Sequence, residues 1–172
     1  MLLSVLIITL VQLFDLSFGS SPHSHCHDDH CPSRGWDSWP RFHCQTDCVN
    51  HPYDCSNEQF YIKQIDKMVE NNFPYYGYNL IIISCWAEKH RDPHTKELVA
   101  DRKRFPNGIK YIADYCRERG LKLGLWMMVD DCDPTDPQPS SQHHLKQDVK
   151  TFAEWGVRSI HAWYLGDDKK QG

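Results

Sequence analysis

Leu80-Ile81-Ile82-Ile83 is an apolar run without polar alternation, the pattern of a parallel strand covered on both faces. Upstream of it, Ser56-Asn57-Glu58-Gln59 reads as a capping box in which Ser56 and Gln59 satisfy each other's free backbone donors. It predicts a helix to about Glu70, with Tyr61, Ile65 and Met68 on one buried face and Ile62 and Val69 beside them. Downstream, Asn107 is placed to cap a second helix that aligns Ile109, Ile112, Ala113 and Cys116 and stops at Gly120. A strand from Leu121 to about Met127 follows, then a Pro- and Asp-rich loop from Asp130 to Ser141. A third helix has Leu145, Val149, Phe152 and Ala153 on one stripe and Gly156 as its stop, and a fourth strand begins at Val157. With Gly35-Trp36-Asp37-Ser38-Trp39 as the first ordered element, strands and helices alternate and strand starts lie roughly 35 to 45 residues apart. This is an α/β pattern with right-handed parallel crossovers. It fits an open doubly wound sheet and part of a barrel equally well.

The bounds agree with one folded domain. The chain has 172 residues, 40% hydrophobic and 12% aromatic, enough for a sizeable core. Its formal charge of −4 and its scattered Lys and Arg leave no electrostatic footprint for nucleic acid. Leu2 to Phe14 is an apolar run too short to span a bilayer, and Ser17-Phe18-Gly19 after it suits signal-peptidase cleavage. The expectation is a signal peptide over 1–19, a mature chain from about Ser20, and an extracellular or lysosomal destination with no membrane anchor after cleavage. An uncleaved anchor or a buried strand are the other readings of that run. The eight cysteines are Cys26, Cys31, Cys44, Cys48, Cys55, Cys85, Cys116 and Cys132, and in an oxidising compartment they read as bridges whose connectivity spacing alone leaves open. No Asn-x-Ser/Thr sequon is present.

Residues 20–34 form a disordered-type leader ahead of an ordered region expected over 35–172. Within it, His23-Ser24-His25-Cys26-His27-Asp28-Asp29-His30-Cys31 is rich in zinc and copper ligand types. Its spacing matches no closed structural finger, and Cys26 with Cys31 also reads as a simple disulfide. No metal site and no cofactor is assigned.

Several segments resemble the α-galactosidases and α-N-acetylgalactosaminidases, glycoside hydrolase family 27. They are Gly35-Trp36-Asp37-Ser38-Trp39-Pro40-Arg41-Phe42, Cys44 with Cys48 and Cys55, Cys85-Trp86-Ala87, Arg104-Phe105-Pro106-Asn107-Gly108-Ile109, Arg119-Gly120-Leu121-Lys122-Leu123-Gly124, and Phe152-Ala153-Glu154-Trp155-Gly156-Val157. The resemblance implies the first four βα units of a (β/α)8 TIM-type barrel, a truncated half, with a disulfide-tied N-terminal loop. It implies the pairs Cys44–Cys85 and Cys48–Cys55, and leaves Cys132 unpaired because its partner position is Leu165. Cys116, on a helix face, reads as a buried thiol.

Barrel chemistry sits at the carboxyl ends of the strands. By resemblance, Trp39 is a sugar-pocket wall and Trp126 replaces a family tyrosine, so these two are the substrate-binding candidates. The family's paired aspartates become Ile83 and Ser84, the aspartate after the third strand becomes Met128, and the nucleophile of Lys-x-Asp-Gly-Cys becomes Trp163 in His161-Ala162-Trp163-Tyr164-Leu165. Retaining glycosidases need two carboxyl groups about 5–5.5 Å apart. The family's acid/base lies beyond the fourth strand, so no catalytic residue is assigned. Asp130, Asp131, Asp133 and Asp136 read as solvated turn residues, Asp167 and Asp168 as a polar tail, and His161 as a packed strand histidine.

The resulting expectation is a relative of retaining enzymes that remove terminal α-galactosyl-type residues from glycoconjugates, truncated and without activity. The alternative is a non-catalytic extracellular module, binding carbohydrate through Trp39, Trp86 and Trp126 or metal through the leader. A partial or mis-spliced product is a third reading. Any partner is an α-galactosyl or α-N-acetylgalactosaminyl glycoconjugate, with self-association through exposed strand edges.

Overall fold

The computed structural model describes residues 33–130 and 138–164. The signal run, the His/Cys leader before Ser33, the loop acids Asp131, Asp133 and Asp136 with Cys132, and the tail beyond Tyr164 lie outside the described residues.

The elements are β1 (Arg34–Asp37), a short helix α1 (Trp39–Phe42), α2 (Glu58–Glu70), a 3-10 turn (Phe73–Tyr76), β2 (Tyr78–Ile83), α3 (Gly108–Glu118), β3 (Lys122–Met128), α4 (Leu145–Trp155) and β4 (Ser159–Trp163). The four strands form one parallel sheet in the order β1-β2-β3-β4. Consecutive parallel strands joined by helices make this a half-barrel, with β1 and β4 at the sheet's two edges among the described residues.

The apolar run of β2 explains the layering. Ile81 and Ile83 join Leu123, Leu125 and Met127 in a core closed by Phe60, Tyr61 and Ile65 of α2, Ile109, Ile112 and Cys116 of α3, and Phe152 of α4. Their strand neighbours alternate to the opposite face. There a Cβ built on Gly124 would meet Ile82 at 3.1 Å and Ser159 at 3.2 Å, so these three share that inner face. Gly35 is required where β1 crosses β2, since a Cβ would sit 2.1 Å from the Leu80 carbonyl oxygen.

Two local expectations are corrected. The cap of α2 is Asn57 rather than Ser56: the Asn57 side chain accepts from Phe60 N–H at 2.8 Å. Ser56 is instead buried and bonds Tyr61 OH at 3.0 Å and the Ser84 carbonyl at 3.1 Å, so tertiary contact overrides the local box. In α4 the apolar stripe is not the buried face. Leu145, Val149 and Ala153 are exposed, and Phe152 is buried next to Asp148. The reason is Arg91, whose guanidinium grips both Asp148 oxygens at 2.8 and 2.6 Å and pulls that face of α4 onto the loop after β2. Strand ends shift by one or two residues: β3 closes at Met128, β4 opens at Ser159, and Trp39 falls in α1 rather than on β1.

Asn107 does precede α3, but its side chain bonds outward. Its N–H and amide donate to the buried Glu58 carboxylate at 3.0 and 2.8 Å, locking the start of α3 to the start of α2. A disulfide from Cys44 to Cys85 ties the loop after α1 to the end of β2, and one from Cys48 to Cys55 closes a short turn within that loop. Cys116 is a buried free thiol, and burial pushes its pKa up to about 12.

Candidate functional site

The carboxyl ends of the strands bring together Asp37 at the end of β1, Trp39 in α1, Trp126 on β3, and His161 and Trp163 on β4. Trp126 and His161 are register partners across β3 and β4, so their side chains emerge on the same face. The indoles form a row with Trp126 in the middle: its centroid lies 5.4 Å from Trp39 and 5.7 Å from Trp163, with interplanar angles of 31° and 38°. The His161 ring lies 5.9 Å from Trp126. Trp39 and Trp126 are half-buried, and Trp163 is 44% exposed.

Asp37 fixes this row. The Trp126 Nε1–H donates to both of its carboxylate oxygens at 3.2 Å, reaching across β2 from β3 to β1. The backbone N–H of Trp39 donates to Asp37 Oδ1 at 3.0 Å, which shapes the turn into α1. His161 Nδ1 stands 4.0 Å from Asp37 Oδ2, a charge pair only when the imidazole is protonated. Asp37 is the member that sequence reasoning missed. Its signal was its position, an acidic residue closing the first strand, where barrel chemistry resides. His161 lies within β4 with its ring against Trp126, and its side chain is 41% exposed.

The positions where the family resemblance implies sugar-directed aspartates are turned away from this face. Ile83 is fully buried in the helix-side core. Ser84 is fully buried in a hydroxyl network, with Ser38 Oγ at 2.7 Å and Tyr61 OH bonding Ser38 at 3.0 Å. Burial raises the Tyr61 pKa despite its hydroxyl partners Ser38 and Ser56, so this network is uncharged. Met128 is buried, and Trp163, where the resemblance implies the nucleophile, is 44% exposed. Trp86, expected with Trp39 and Trp126 as a binding aromatic, is fully buried: it packs edge-on against Phe152 and Trp155, and its Nε1–H donates to the Trp126 carbonyl at 2.9 Å. It supports Trp126 from beneath rather than facing a ligand.

A separate cavity of about 510 Å³ opens between the loop after β2 and the start of α3, bordered by Asp92, Glu97, Lys110 and Trp155. None of the strand-end residues lines it. Among the described residues no group of three or more His, Cys, Asp or Glu is placed to hold a metal ion, and no helix is long and apolar enough to cross a membrane.

The family model for alpha galactosidase A matches residues 31–170. The chain is 39% identical over 145 residues to the alpha-N-acetylgalactosaminidase of Gallus gallus, covering 82% of this chain and 36% of that protein. It is 36% identical over 127 residues to the alpha-galactosidase A of Homo sapiens, covering 73% of this chain and 29% of that protein. Among solved structures, alpha-galactosidase I from Mortierella vinacea superposes with a TM-score of 0.69 at 26% identity, over 82% of this chain and 33% of that one. The chain thus spans about a third of the length of these relatives. Matching over most of its own residues, in sequence and in fold, the chain belongs to glycoside hydrolase family 27, the α-galactosidases and α-N-acetylgalactosaminidases.

Proposed function

We propose that this chain binds a pyranose of the α-galactosyl or α-N-acetylgalactosaminyl type at its strand ends and does not hydrolyse it. The observation that carries this reading is the identity of the strand-end residues. By resemblance, Ile83, Ser84, Met128 and Trp163 stand where the family has its sugar- and reaction-directed carboxylates, and the first two are buried away from the site. A retaining mechanism needs a nucleophilic carboxylate and a second carboxyl about 5–5.5 Å from it. Among the described residues Asp37 accepts from two N–H donors, the Trp39 amide and the Trp126 indole, and its nearest charged-type neighbour is the His161 imidazole. An indole has no electron pair with which to form a glycosyl ester, so Trp163 cannot serve as the nucleophile.

The binding half of the reading is supported by the indole row. Flat aromatic faces pack on the apolar face of a pyranose ring, and Trp163 offers one in the open. A carboxylate beside them gives hydroxyl groups a charged acceptor. Entry to the secretory pathway belongs to the same reading, and the two disulfides agree with an oxidising compartment. The test is a pair of assays on the purified chain: release of nitrophenol from nitrophenyl α-galactoside and α-N-acetylgalactosaminide, and quenching of tryptophan fluorescence by the free sugars. The reading expects saturable quenching without turnover.

A further inference from the structure

Asp37 is a partly buried anion, with 23% of its side chain exposed. Its two hydrogen-bond donors, the Trp39 amide and the Trp126 indole, are uncharged. No Lys or Arg among the described residues pairs with it, and the nearest basic group, His161 Nδ1, stops at 4.0 Å, beyond hydrogen-bond length. A carboxylate has about four lone-pair sites, so acceptor capacity remains on Oδ2 in the gap toward His161. Trp126 borders that gap with its Nε1–H edge toward Asp37, and the Trp163 ring lies 5.7 Å from the Trp126 ring, so an apolar surface adjoins the carboxylate. A partly buried carboxylate whose hydrogen-bond donors among the described residues are uncharged, set beside an indole row, is complementary to a positive charge on an otherwise apolar-faced ligand.

We propose that the strand-end site selects an amino sugar, a pyranose carrying a free protonated amine, with Asp37 receiving the ammonium group and the Trp126–Trp163 part of the row receiving the ring. This rests on the reading that the site binds a pyranose and adds what sets its preference. A neutral hydroxyl or an acetamido group offers Asp37 an ordinary hydrogen bond, whereas an ammonium offers a charge-assisted one.

The experiment titrates the purified full chain with galactosamine, N-acetylgalactosamine and galactose near neutral pH and low salt, following tryptophan fluorescence, with methylammonium as a probe of charge alone. The expected result is galactosamine binding roughly tenfold tighter than either other sugar, an advantage that shrinks on adding salt. In Asp37→Asn, whose amide oxygen still accepts the Trp126 Nε1–H, the ratio of galactosamine to galactose affinity falls to about one. Asp37→Glu restores part of the ratio, and near-ultraviolet circular dichroism checks that the indole row persists in both variants. Equal affinity for the three sugars in the unmutated chain overturns the charge preference and leaves the pyranose reading in place. Absence of binding by all three sugars, with or without a methylammonium response, overturns both.

Discussion

On the face of the sheet covered by helices, charged groups are paired with partners and apolar side chains interlock. Arg91 meets Asp148, Arg104 bonds Asp101 and the Ser56 carbonyl, and Glu58 holds Asn107, all around a core running from Tyr61 to Phe152. At the strand ends, a row of half-open indoles surrounds one carboxylate and one imidazole. The first region includes Arg104, Phe105, Asn107 and Phe152 from the segments that resemble the family. The second holds Met128 and Trp163 where the resemblance implies carboxylates. The residues that hold the fold are therefore distinct from those gathered at the strand ends.

The contrast is broken most severely by removing Asp148. Its carboxylate is buried against Arg91, so Asp148→Ala strands a guanidinium that is itself nearly buried, and the expected loss is about 3–5 kcal/mol by urea unfolding. Trp163→Ala at the strand ends should move the same midpoint by less than about 1 kcal/mol; a loss as large as that of Asp148→Ala would place the strand-end row among the supports of the fold. Gly35→Ala comes next. The new methyl group would sit against the Leu80 carbonyl oxygen, and strand displacement should cost about 1–3 kcal/mol.

A smaller effect sharpens the assignment of the α2 cap. Asn57→Ala should lose about 1 kcal/mol, whereas Gln59→Ala should stay within about 0.5 kcal/mol because that side chain is exposed and closes no box. The reverse order would restore Ser56 and Gln59 as the helix start.

The smallest effect is on pH dependence. Burial works against ionisation of Asp101, but the hydrogen bond and charge of Arg104, with the Lys103 and Arg104 amides, outweigh it and hold its carboxyl below the ordinary carboxylate value. A depressed folded-state value stabilises the fold fully above the unfolded-state value of about 3.9 and is lost as pH falls through the folded one. The unfolding midpoints of the chain and of Asp101→Asn should therefore differ at neutral pH and converge in acid. A gap that widens in acid would contradict the sign.

The layering was legible in the sequence because unbroken apolar runs and helical periodicity are local signals. Leu80 to Ile83 and the faces of α2 and α3 follow from them. The α4 face was not, because its orientation is set by an Arg91–Asp148 contact between residues far apart in the chain. The same holds for Ser56, which its place before a helix made a cap but which Tyr61 and Ser84 claim through the fold. Of the site, Trp39 and Trp126 were legible by resemblance, and the structure sets them side by side. Asp37 was not, because its partner Trp126 lies two strands away and only the parallel crossovers bring them together.

The most direct test of the separation between scaffold and chemistry is turnover of nitrophenyl α-galactoside by the purified chain, read in the sample whose fluorescence is titrated with galactose. Saturable quenching with no nitrophenol above the buffer rate is the expected result. Nitrophenol release that scales with protein and is abolished by Asp37→Asn would contradict it, because the altered strand ends would then still perform the family's chemistry.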